Sequence, residues 1–500
     1  MNRPDQFVNR GAVASLLLRL DPRAAAPLYE QIYCATRDRI LAGELAPGVR
    51  LPSSRQLARD LGVARTTVLQ ALDALAAEGF IVTRRAASTC VAPELPATLL
   101  QPREPRVATR RPARLSRVAR ALKTMPVGTV YTAEAPRAFR PGVPALDMFP
   151  IALWSRISAR VHARASTALL DGSGPAGQRM LREAIAAHAS ASRGVRCSAE
   201  QVFVTTGTQQ AFDEILRLVV DPGDPVWVED PGYLGAWRAV VGAHARPIPV
   251  PVDDQGLDVA AGIARAPAAR AVVLAPSHQY PLGVTLTLAR RVALLRWAVR
   301  ARAIVIEDDY DSEFQHRGRP LMALYGLDTA GSVVYVGTFS KSMFPGIRLG
   351  YVIVPPALVD TFAAGRASLS TPAPAFEQAA LARFIADGHF ATHLRRMRMT
   401  YRERSEALTA ALEADCGELL APSPCHTGMQ LVATLRGRSS DRRVVAEAAR
   451  VGVELAALSS YALTRSRLNG LVFGFGGVRP AAMRPATQQL ARALATRRIR

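Results

Sequence analysis

The sequence has 500 residues, of which 49% are hydrophobic and 21% are charged, proportions that are typical of folded globular proteins and exclude an intrinsically disordered chain. Its formal net charge of +22, from 63 basic and 41 acidic residues, indicates a polyanionic partner, with nucleic acid the first choice. An arginine-rich composition without such a partner would give the same charge.

The five cysteines are scattered along the chain and include no C-x-x-C pair. This distribution argues against a disulfide framework and against a zinc site, and it predicts a reducing compartment. The chain has no apolar run of about 18 residues, and its N-terminus lacks the layout of a signal peptide. We therefore expect a cytoplasmic protein with no metal and no membrane partner.

The first predicted unit, residues 20–91, begins with helices. The segment LYEQIYCATRDRILAG has apolar residues at helical spacing and ends at Gly43. The segment SSRQLARDLGVARTTVLQALDALAAEGF then predicts two shorter helices joined by a turn at Gly62. Ser53 and Gln56 have the spacing of a capping box at the start of the first of these two helices.

Two helices joined by a short glycine turn form a helix-turn-helix pattern, which is typical of DNA-binding proteins. In the second helix Val68, Leu72 and Leu75 make the stripe that we expect to be buried. The following segment FIVTRRAASTCVA alternates as a β-ribbon, so that Arg84 and Arg85 lie on a predicted wing and are candidate DNA contacts. The pattern alone leaves open a three-helix packing module with a solvated arginine face.

The stretch LPSSRQLARDLGVARTTVLQALDALAAEGFIVTRR resembles the GntR family of bacterial repressors. The resemblance implies DNA contacts at Arg55, near the start of the first helix of the pair, and at Arg65, Thr66 and Thr67, at the start of the second. Hydroxyl groups and helix N-termini suit phosphates, while an arginine suits the edge of a guanine. We therefore expect a double-stranded DNA operator as partner. The wing departs from the family, which usually has glycines where this chain has RRAASTC.

Residues 92–136 are a predicted linker. The part before residue 128 has seven arginines and Lys123 against two glutamates, with prolines among them. Such a segment is too polar and too weakly periodic to form a core. It is either a solvated spacer or a spacer that also contacts the DNA backbone.

Residues 137–500 alternate between short β-branched runs and helical stretches. The runs include QVFVTTG, PVWVED, ARPIPV, RAVVLAPSHQY, ARAIVIEDD, SVVYVGTFS and GYVIVPP. Alternation of this kind predicts an α/β domain with a mostly parallel central sheet covered by helices on both faces. In such a sheet the ligand site lies beyond the carboxyl ends of the strands.

Four polar clusters follow predicted strands in this domain: TTGTQQA, EDPGYLG, IEDDYDSEF and GTFSKSMFPGIRLG. Each has a simple structural explanation by itself, such as a helix cap, a turn tyrosine, an acidic loop or a surface lysine. Together they supply backbone N–H groups for a phosphate, an aromatic ring, a carboxylate and a primary amine, which is the set that pyridoxal 5'-phosphate (PLP) requires. The candidate residues are Gly207, Thr208, Gln209, Tyr233, Asp308, Tyr310, Thr338, Ser340, Lys341 and Arg348.

Lys341 stands out because the chain has only two lysines, Lys123 and Lys341. A primary amine can form a Schiff base with an aldehyde, whereas arginine cannot, because its guanidinium stays protonated. A carboxylate can keep the pyridine nitrogen protonated, and a phenol can hydrogen-bond the 3-oxygen of the ring. The chemistry therefore predicts PLP as cofactor, with Lys341 as the residue that binds it covalently.

The segments VWVEDPGY, APSHQYPLG, IEDDYDSEF and YVGTFSKSMFPGIRLGY resemble fold-type I aminotransferases, and more narrowly the aminotransferase-like domain of MocR-type regulators. In that family a GntR-type winged helix precedes the domain, as it does here. The resemblance implies Lys341 in the Schiff base, Asp308 facing the pyridine nitrogen and Tyr310 facing the 3-oxygen. It also implies Tyr233 stacked on the ring and, around the phosphate, Thr208, Gln209, Thr338, Ser340 and Arg348.

Two departures bear on function. Aminotransferases bind the substrate carboxylate with an arginine on a late strand, but the corresponding strand here, GLVFGFGG, has none, and Arg467 and Arg479 only flank it. Tyr280 replaces the asparagine that usually lies beside the ring. The cofactor site is therefore better supported by the sequence than a site for an amino-acid substrate.

These observations predict a homodimeric, PLP-dependent transcriptional regulator, in which PLP on Lys341, or its adduct with an amine or amino-acid effector, modulates operator binding. Two alternatives stay open at this point. The chain could be an active aminotransferase that carries a DNA-binding domain, although we expect transaminase activity to be weak or absent. It could also be a DNA-binding protein whose second domain serves only as a dimerisation scaffold.

Overall fold

The computed structural model describes residues 18, 20–22, 24, 26–84, 88–93, 114–125, 137–315, 322–437, 439–464 and 468–496. The chain divides into two compact units, Met1–Arg114 and Leu115–Arg500. The first unit contains the helices α1 Leu28–Leu41, α2 Ser54–Leu61 and α3 Arg65–Ala77 and the strands β1 Ile81–Arg84 and β2 Ser88–Val91.

The helix-turn-helix forms as the sequence predicts. The Ser53 hydroxyl accepts a hydrogen bond from the Gln56 N–H, and α2 ends at Gly62, whose φ of 65° is in the left-handed region that glycine favours. Only this hydrogen bond of the predicted capping box forms, because the Gln56 side chain donates to Asp60 instead of completing the box. In α3 the stripe with Val68 is buried, as expected.

The predicted wing is an antiparallel ribbon of β1 and β2, in which Ile81 pairs with Val91 and Arg84 with Ser88. Arg85, the second residue of the basic pair, lies outside the described residues. The ribbon packs into the same core as the helices, because Ile81 and Val91 belong to the cluster that contains Leu75.

The second unit contains two sheets. Its helices are α4 Arg117–Thr124, α5 Ile151–Ala163, α6 Thr167–Leu170, α7 Arg179–Arg193, α8 Thr208–Val219, α9 Leu234–Gly242, α10 Val259–Arg265, α11 Leu288–Ala301, α12 Leu324–Leu327, α13 Phe339–Ser342, α14 Val359–Leu369, α15 Ala375–Ala386, α16 His389–Cys416, α17 Asp441–Arg450 and α18 Pro480–Thr496. Its strands are β3 Val202–Thr205, β4 Pro225–Asp230, β5 Arg246–Asp253, β6 Gly256–Leu257, β7 Ala271–Leu274, β8 Ile304–Asp309, β9 Val333–Thr338, β10 Gly350–Ile353, β11 Leu420–Pro422, β12 Gln430–Leu435, β13 Ala456–Ala457 and β14 Gly470–Gly474.

The larger sheet has the strand order β3-β10-β9-β8-β7-β4-β5-β6 in the described residues. The five strands β9, β8, β7, β4 and β5 are parallel to one another, which confirms the mostly parallel sheet. Successive residues of a strand enter opposite cores: Ile306 packs with Phe212 of α8, whereas Val305 packs with Trp297 of α11. Both faces are therefore covered by helices, as the continuous apolar runs predict.

The smaller sheet has the order β11-β12-β14-β13 and is antiparallel throughout. In its register Gln430, the first residue of β12, pairs with Gly474, the last residue of β14. The strand β14 is the core of the predicted GLVFGFGG strand that lacks an arginine.

The segment 114–125 lies within the predicted linker. From Leu115 onward it belongs to the second unit. The Ser116 hydroxyl caps the helix α4 by accepting a hydrogen bond from the Ala119 N–H at 3.0 Å. The helix packs against α9, and Met125 at its end is buried. The end of the basic segment is therefore attached to the second unit, a contact that its polar composition does not predict.

Among the helices of the described residues, none is both long enough and apolar enough to cross a membrane.

Candidate functional site

The four polar clusters meet because of strand direction. The strand β10 is antiparallel to both of its neighbours, β3 and β9. As a result β3 runs in the same direction as β9, β8, β7 and β4, and the carboxyl ends of all five strands lie at one edge of the sheet. A cavity of 290 Å³ lies at this edge.

All ten residues predicted for the cofactor line this cavity. They are Gly207, Thr208, Gln209, Tyr233, Asp308, Tyr310, Thr338, Ser340, Lys341 and Arg348. Further lining comes from residues that were not predicted to bind the cofactor, namely Pro141, Gly142, Leu234, Gly235, Arg238, Tyr280, Met429, Gln430 and Tyr461. The structure thus establishes that the predicted residues lie together, while their binding roles stay predictions.

Lys341 lies on the short helix α13, directly after β9. The Thr338 hydroxyl accepts a hydrogen bond from the Ser340 N–H, which turns the chain at the end of the strand. The Lys341 side chain crosses to the segment before α5, where its Nζ donates to the carbonyl oxygen of Gly142 at 2.7 Å. This hydrogen bond holds the Lys341 amine in the wall of the cavity.

Asp308 supplies a buried carboxyl group. The residue is 8% exposed, and its Oδ1 has no hydrogen-bond partner among the described residues. Burial, followed by the charges of Asp309 and Asp311, raises the pKa of Asp308 to about 8, against the opposing effect of Lys341. A cationic donor bound against Oδ1 would satisfy this atom and favour the ionised carboxylate.

Tyr310 presents its hydroxyl group to the cavity next to a buried histidine–aspartate pair. The Nδ1 of His278 lies 2.8 Å from Oδ1 of Asp311 and 3.1 Å from the Tyr310 hydroxyl. Burial and the charge of Asp311 raise the pKa of Tyr310 well above its usual value, so that the phenol keeps its proton. Gly428 covers the pair, because a Cβ at that position would overlap both His278 and Asp311.

Tyr233 forms one wall of the cavity. It directly precedes α9 and is 39% exposed. The ring lies over Gly235, where a Cβ would overlap it. A glycine is therefore required two residues after the tyrosine, and the stacking role of the ring stays a prediction.

The residues predicted to bind the phosphate include Gly207 and Arg348. Gly207, with φ 118°, precedes the first residue of α8, so that the first N–H groups of this helix face outward from its N-terminus. Arg348 has φ 50°, a left-handed conformation that is costly for a residue other than glycine. A Cβ built on Gly207 would lie 4.0 Å from the Nη1 of Arg348. A guanidinium and a helix N-terminus therefore lie side by side.

A second wall, which sequence reasoning largely missed, comes from the smaller sheet and from α9. Tyr461 and Tyr280 share a hydrogen bond between their hydroxyls at 2.8 Å. Gln430 reaches the cavity from β12, and Arg238 reaches it from α9. The replacement of the usual asparagine by Tyr280 gave the one signal in the sequence for this wall, since Gln430 and Tyr461 are remote in sequence from the four clusters.

In the first unit Arg65 is the first residue of α3, and Thr66 and Thr67 follow it in the first turn. Arg55 is on α2, and like Arg65 and Thr66 it is exposed. The Nε of Arg65 donates to the Ser54 hydroxyl at 3.3 Å, which joins the N-termini of the two helices. The predicted contacts Arg55, Arg65 and Thr66 are thus accessible at the surface of this unit. Arg84 ends β1, and Arg85 is outside the described residues.

Comparison with known proteins bears on both units. Residues 28–91 match the model of the bacterial regulatory proteins of the gntR family, and residues 154–468 match the model of aminotransferase class I and II. The chain is 38% identical over 475 residues to the probable rhizopine catabolism regulatory protein MocR of Rhizobium meliloti, and the match covers 95% of each chain. The chain belongs to the MocR-type transcriptional regulators.

A further transcriptional regulator matches over most of its length. The pyridoxine biosynthesis transcriptional regulator PdxR of Corynebacterium glutamicum is 32% identical over 468 residues, with 93% of this chain and 95% of the relative covered. Among solved structures, the α-aminoadipate aminotransferase LysN of Thermus thermophilus, complexed with N-(5'-phosphopyridoxyl)-L-leucine, has a TM-score of 0.66 and 26% identity. That match covers 76% of this chain and 95% of the aminotransferase. The second unit of this MocR-type regulator therefore has the fold of PLP-dependent aminotransferases.

The residues present fit PLP. The unpartnered Oδ1 of Asp308 requires a donor, which a protonated pyridine nitrogen is. Lys341 and Tyr233 line the same cavity. Arg348 and the N-terminus of α8 supply a cation and N–H donors of the kind that phosphates bind.

Proposed function

We propose that this MocR-type regulator binds PLP at Lys341 and that PLP, alone or with an amine or amino-acid effector, changes the affinity of its winged helix for operator DNA. The observation that carries the proposal is the buried Oδ1 of Asp308, which lacks a partner and lines the same cavity as the Lys341 amine. The domain boundaries at residues 91/92 and 136/137 and a homodimeric assembly are part of this proposal.

Each residue of the proposed cofactor site has a definite task. When bound, PLP would supply an aldehyde that condenses with primary amines and a ring that withdraws electrons. Lys341 presents its Nζ from the cavity wall, and Asp308 accepts the ring N–H. Tyr310, which keeps its proton, donates to the 3-oxygen. The phosphate is held by Gly207, Thr208, Gln209, Thr338, Ser340 and Arg348.

The two lysines make the cofactor test sharp. We expect borohydride reduction of the protein with PLP, followed by peptide mass mapping, to find a pyridoxyl group on Lys341 and none on Lys123. The variant Lys341→Arg should lose the PLP absorbance, while Lys123→Arg, on the exposed face of α4, should keep it. No label on Lys341 would show that the cofactor proposal is wrong.

The regulatory part is tested by operator binding with and without PLP, and then with a panel of amines. The expected result is a change in operator affinity that Lys341→Arg abolishes and Lys123→Arg preserves. An affinity that is the same under all conditions would leave the second domain as a dimerisation scaffold.

An aminotransferase activity is the second candidate, favoured by the common cavity of Lys341, Asp308 and Tyr310. The strand β14 offers no arginine for a substrate carboxylate, and Arg479 forms an ion pair with Asp147 at 3.0 Å instead. Assays with pairs of amino donors and keto acids separate the two functions. Many turnovers per site would support the enzyme, and their absence would support the regulator.

A further inference from the structure

The buried pair of His278 and Asp311 lies behind the Tyr310 hydroxyl and has no task in the proposed function. The two residues are 4% and 1% exposed, and neither is among the residues that line the cavity. The Nδ1 of His278 is 2.8 Å and 3.0 Å from the two carboxyl oxygens of Asp311 and 3.1 Å from the hydroxyl oxygen of Tyr310. Since Tyr310 does line the cavity, the pair can act on a ligand there through this hydroxyl.

The surrounding chain holds the pair in one arrangement. Asp311 follows β8, and its carbonyl oxygen accepts a hydrogen bond from the Phe314 N–H at 3.0 Å. The Phe314 carbonyl oxygen in turn accepts a hydrogen bond from the Gly428 N–H at 2.9 Å, which places the segment before β12 over the pair. A Cβ at Gly428 would overlap both His278 and Asp311, so the imidazole is packed directly against backbone and keeps its orientation.

The hydrogen-bonding capacity of Nδ1 decides where the Tyr310 proton points. A ring nitrogen of a neutral histidine has either one hydrogen or one lone pair. If Nδ1 carries the hydrogen, it donates to the Asp311 carboxylate, and if Asp311 carries the proton, the Nδ1 lone pair accepts it. In neither arrangement is a lone pair left to accept the hydroxyl hydrogen of Tyr310. Among the described residues His278 is the only hydrogen-bond partner of that hydroxyl, so its hydrogen is directed into the cavity.

We propose that Asp311, by occupying Nδ1 of His278, keeps the Tyr310 hydroxyl as a donor to an anionic oxygen of the cavity ligand. The inference rests on the proposed function, in which that oxygen is the 3-oxygen of PLP. His278 and Asp311 are then positioning residues that act through Tyr310 and do not touch the ligand. Without Asp311, the Nδ1 lone pair is free to accept the Tyr310 proton, and the hydroxyl turns away from the ligand.

The test compares Asp311→Leu with Asp311→Asn. Both substitutions remove the carboxyl group, but only the asparagine retains a polar partner for Nδ1. The readout is the pH midpoint of the absorbance change of PLP bound at Lys341. A hydrogen bond from Tyr310 stabilises negative charge on the 3-oxygen, which also holds the proton of the Schiff base, so loss of this donor makes the oxygen more basic and raises the midpoint. We expect the midpoint of Asp311→Leu to lie about one pH unit above that of Asp311→Asn, a tenfold change in proton affinity.

Other titratable groups act on these residues and are the same in both variants. They are Asp308, Tyr280 and Glu229 around Tyr310, and Asp309, Glu313, Tyr401 and Cys425 around Asp311. Their effects therefore cancel in the comparison. His162→Leu, which removes an exposed histidine of α5 outside the cavity, is the control and should have the wild-type midpoint.

A second comparison shows whether the pair acts through the tyrosine. In the background of Tyr310→Phe, the leucine and asparagine variants of Asp311 should have equal midpoints, because there is no hydroxyl to redirect. Equal midpoints already in the presence of Tyr310, or a difference that persists after Tyr310→Phe, would show that the positioning role is wrong. Urea unfolding checks that each variant folds, and Asp311→Ala, which should shift the midpoint in the same direction, replaces Asp311→Leu if that variant does not.

Borohydride labelling of Lys341 separates this inference from the proposed function. If the wild-type protein is not labelled, the proposed function fails and the positioning role fails with it. If the wild-type protein is labelled and folded Asp311→Leu is not, the pair serves PLP binding itself and the positioning role is wrong. Normal labelling with the expected difference in midpoint, lost in Tyr310→Phe, supports it.

Discussion

The Nζ of Lys341 donates a hydrogen bond to the carbonyl oxygen of Gly142 at 2.7 Å. Gly142 has φ 76°, and a Cβ at this position would lie 2.7 Å from that same Nζ. We therefore expect Gly142→Ala to displace the lysine amine and to weaken covalent attachment of PLP about tenfold or more. A PLP titration followed by absorbance measures the change in affinity. Each factor of ten corresponds to about 1.4 kcal/mol of binding free energy.

Gly388→Ala is the matched control for this substitution. Gly388 has nearly the same φ, 77°, but a Cβ there would contact nothing within 4 Å. Both variants should lose about 1 kcal/mol of unfolding free energy through backbone strain. Equal PLP binding by the two variants would show that the contact with Gly142 does not position the amine.

The buried carboxyl group of Asp308 predicts a pH dependence of the PLP-free protein. Its pKa is raised from 3.8 to about 8, first by burial. The folded state therefore binds a proton that the unfolded state has released between these values, and stability falls as the pH rises through this window. Asp308→Asn should flatten the fall by up to about 1.4 kcal/mol per pH unit. Urea unfolding at a series of pH values measures it.

Asp309→Asn should leave the slope in this window unchanged and should instead remove a loss of stability at acid pH, below the unfolded pKa of 3.8. Burial acts to raise the pKa of Asp309, but the charge of Arg193 together with hydrogen bonds from Ser312, Tyr335 and Arg193 lowers it. The ionised form thus stabilises the fold above the unfolded pKa, and this contribution is lost on acidification. The wild-type slope is not due to Asp308 if Asp308→Asn leaves it unchanged. Glu229 and Glu307, whose pKa values burial raises to about 8 and about 7, would then account for it.

Arg193 and Asp309 form a buried ion pair behind the cavity, with Nε and Oδ2 2.7 Å apart and side chains that are 3% and 2% exposed. Arg193→Met would leave the carboxylate buried without its cation, so we expect a loss of about 3–5 kcal/mol of unfolding free energy. Arg179→Met, which breaks an exposed pair with Glu183, should have little measurable effect. Similar unfolding midpoints for the two variants would contradict the assignment.

Arg65 is predicted to read a base edge in the operator. On DNA selected by the wild-type protein, Arg65→Ala should weaken binding by about 1–3 kcal/mol and relax the preference at one base pair. Arg37→Ala, which removes an arginine paired with Asp38 on α1, is the control in the same unit. Binding to operators with single base-pair changes measures both, and an unaltered preference in Arg65→Ala would argue against the recognition role of α3.

Much of the fold follows from local patterns in the sequence. The apolar runs give the strands, and the turn at Gly62 gives the helix-turn-helix, because periodicity and turn chemistry act over a few residues. The predicted cofactor residues, such as Asp308 and Lys341, could be found because they directly follow strands. These residues meet also because β10 runs in the reverse direction. The pairing of the strands determines that direction, and the periodicity of the sequence does not predict it.

The residues that were missed depend on contacts between distant parts of the chain. Gln430 and Tyr461 enter the cavity only because the smaller sheet packs against this edge, and Gly142 only because its segment crosses to α13. The helix α4 was missed for another reason. Half of its residues are polar, and its few apolar residues become partly buried where it packs on α9, a contact between distant parts of the chain.

Arg238 also has a role at the end of α4, since its Nη1 donates a long hydrogen bond of 3.5 Å to the carbonyl oxygen of Met125. One guanidinium thus contacts both the cavity and the end of α4, the helix that lies within the predicted linker. Within this unit, a change at the cavity needs to cross only a single side chain to reach that helix. Signal transmission can therefore begin without rearrangement of the large sheet.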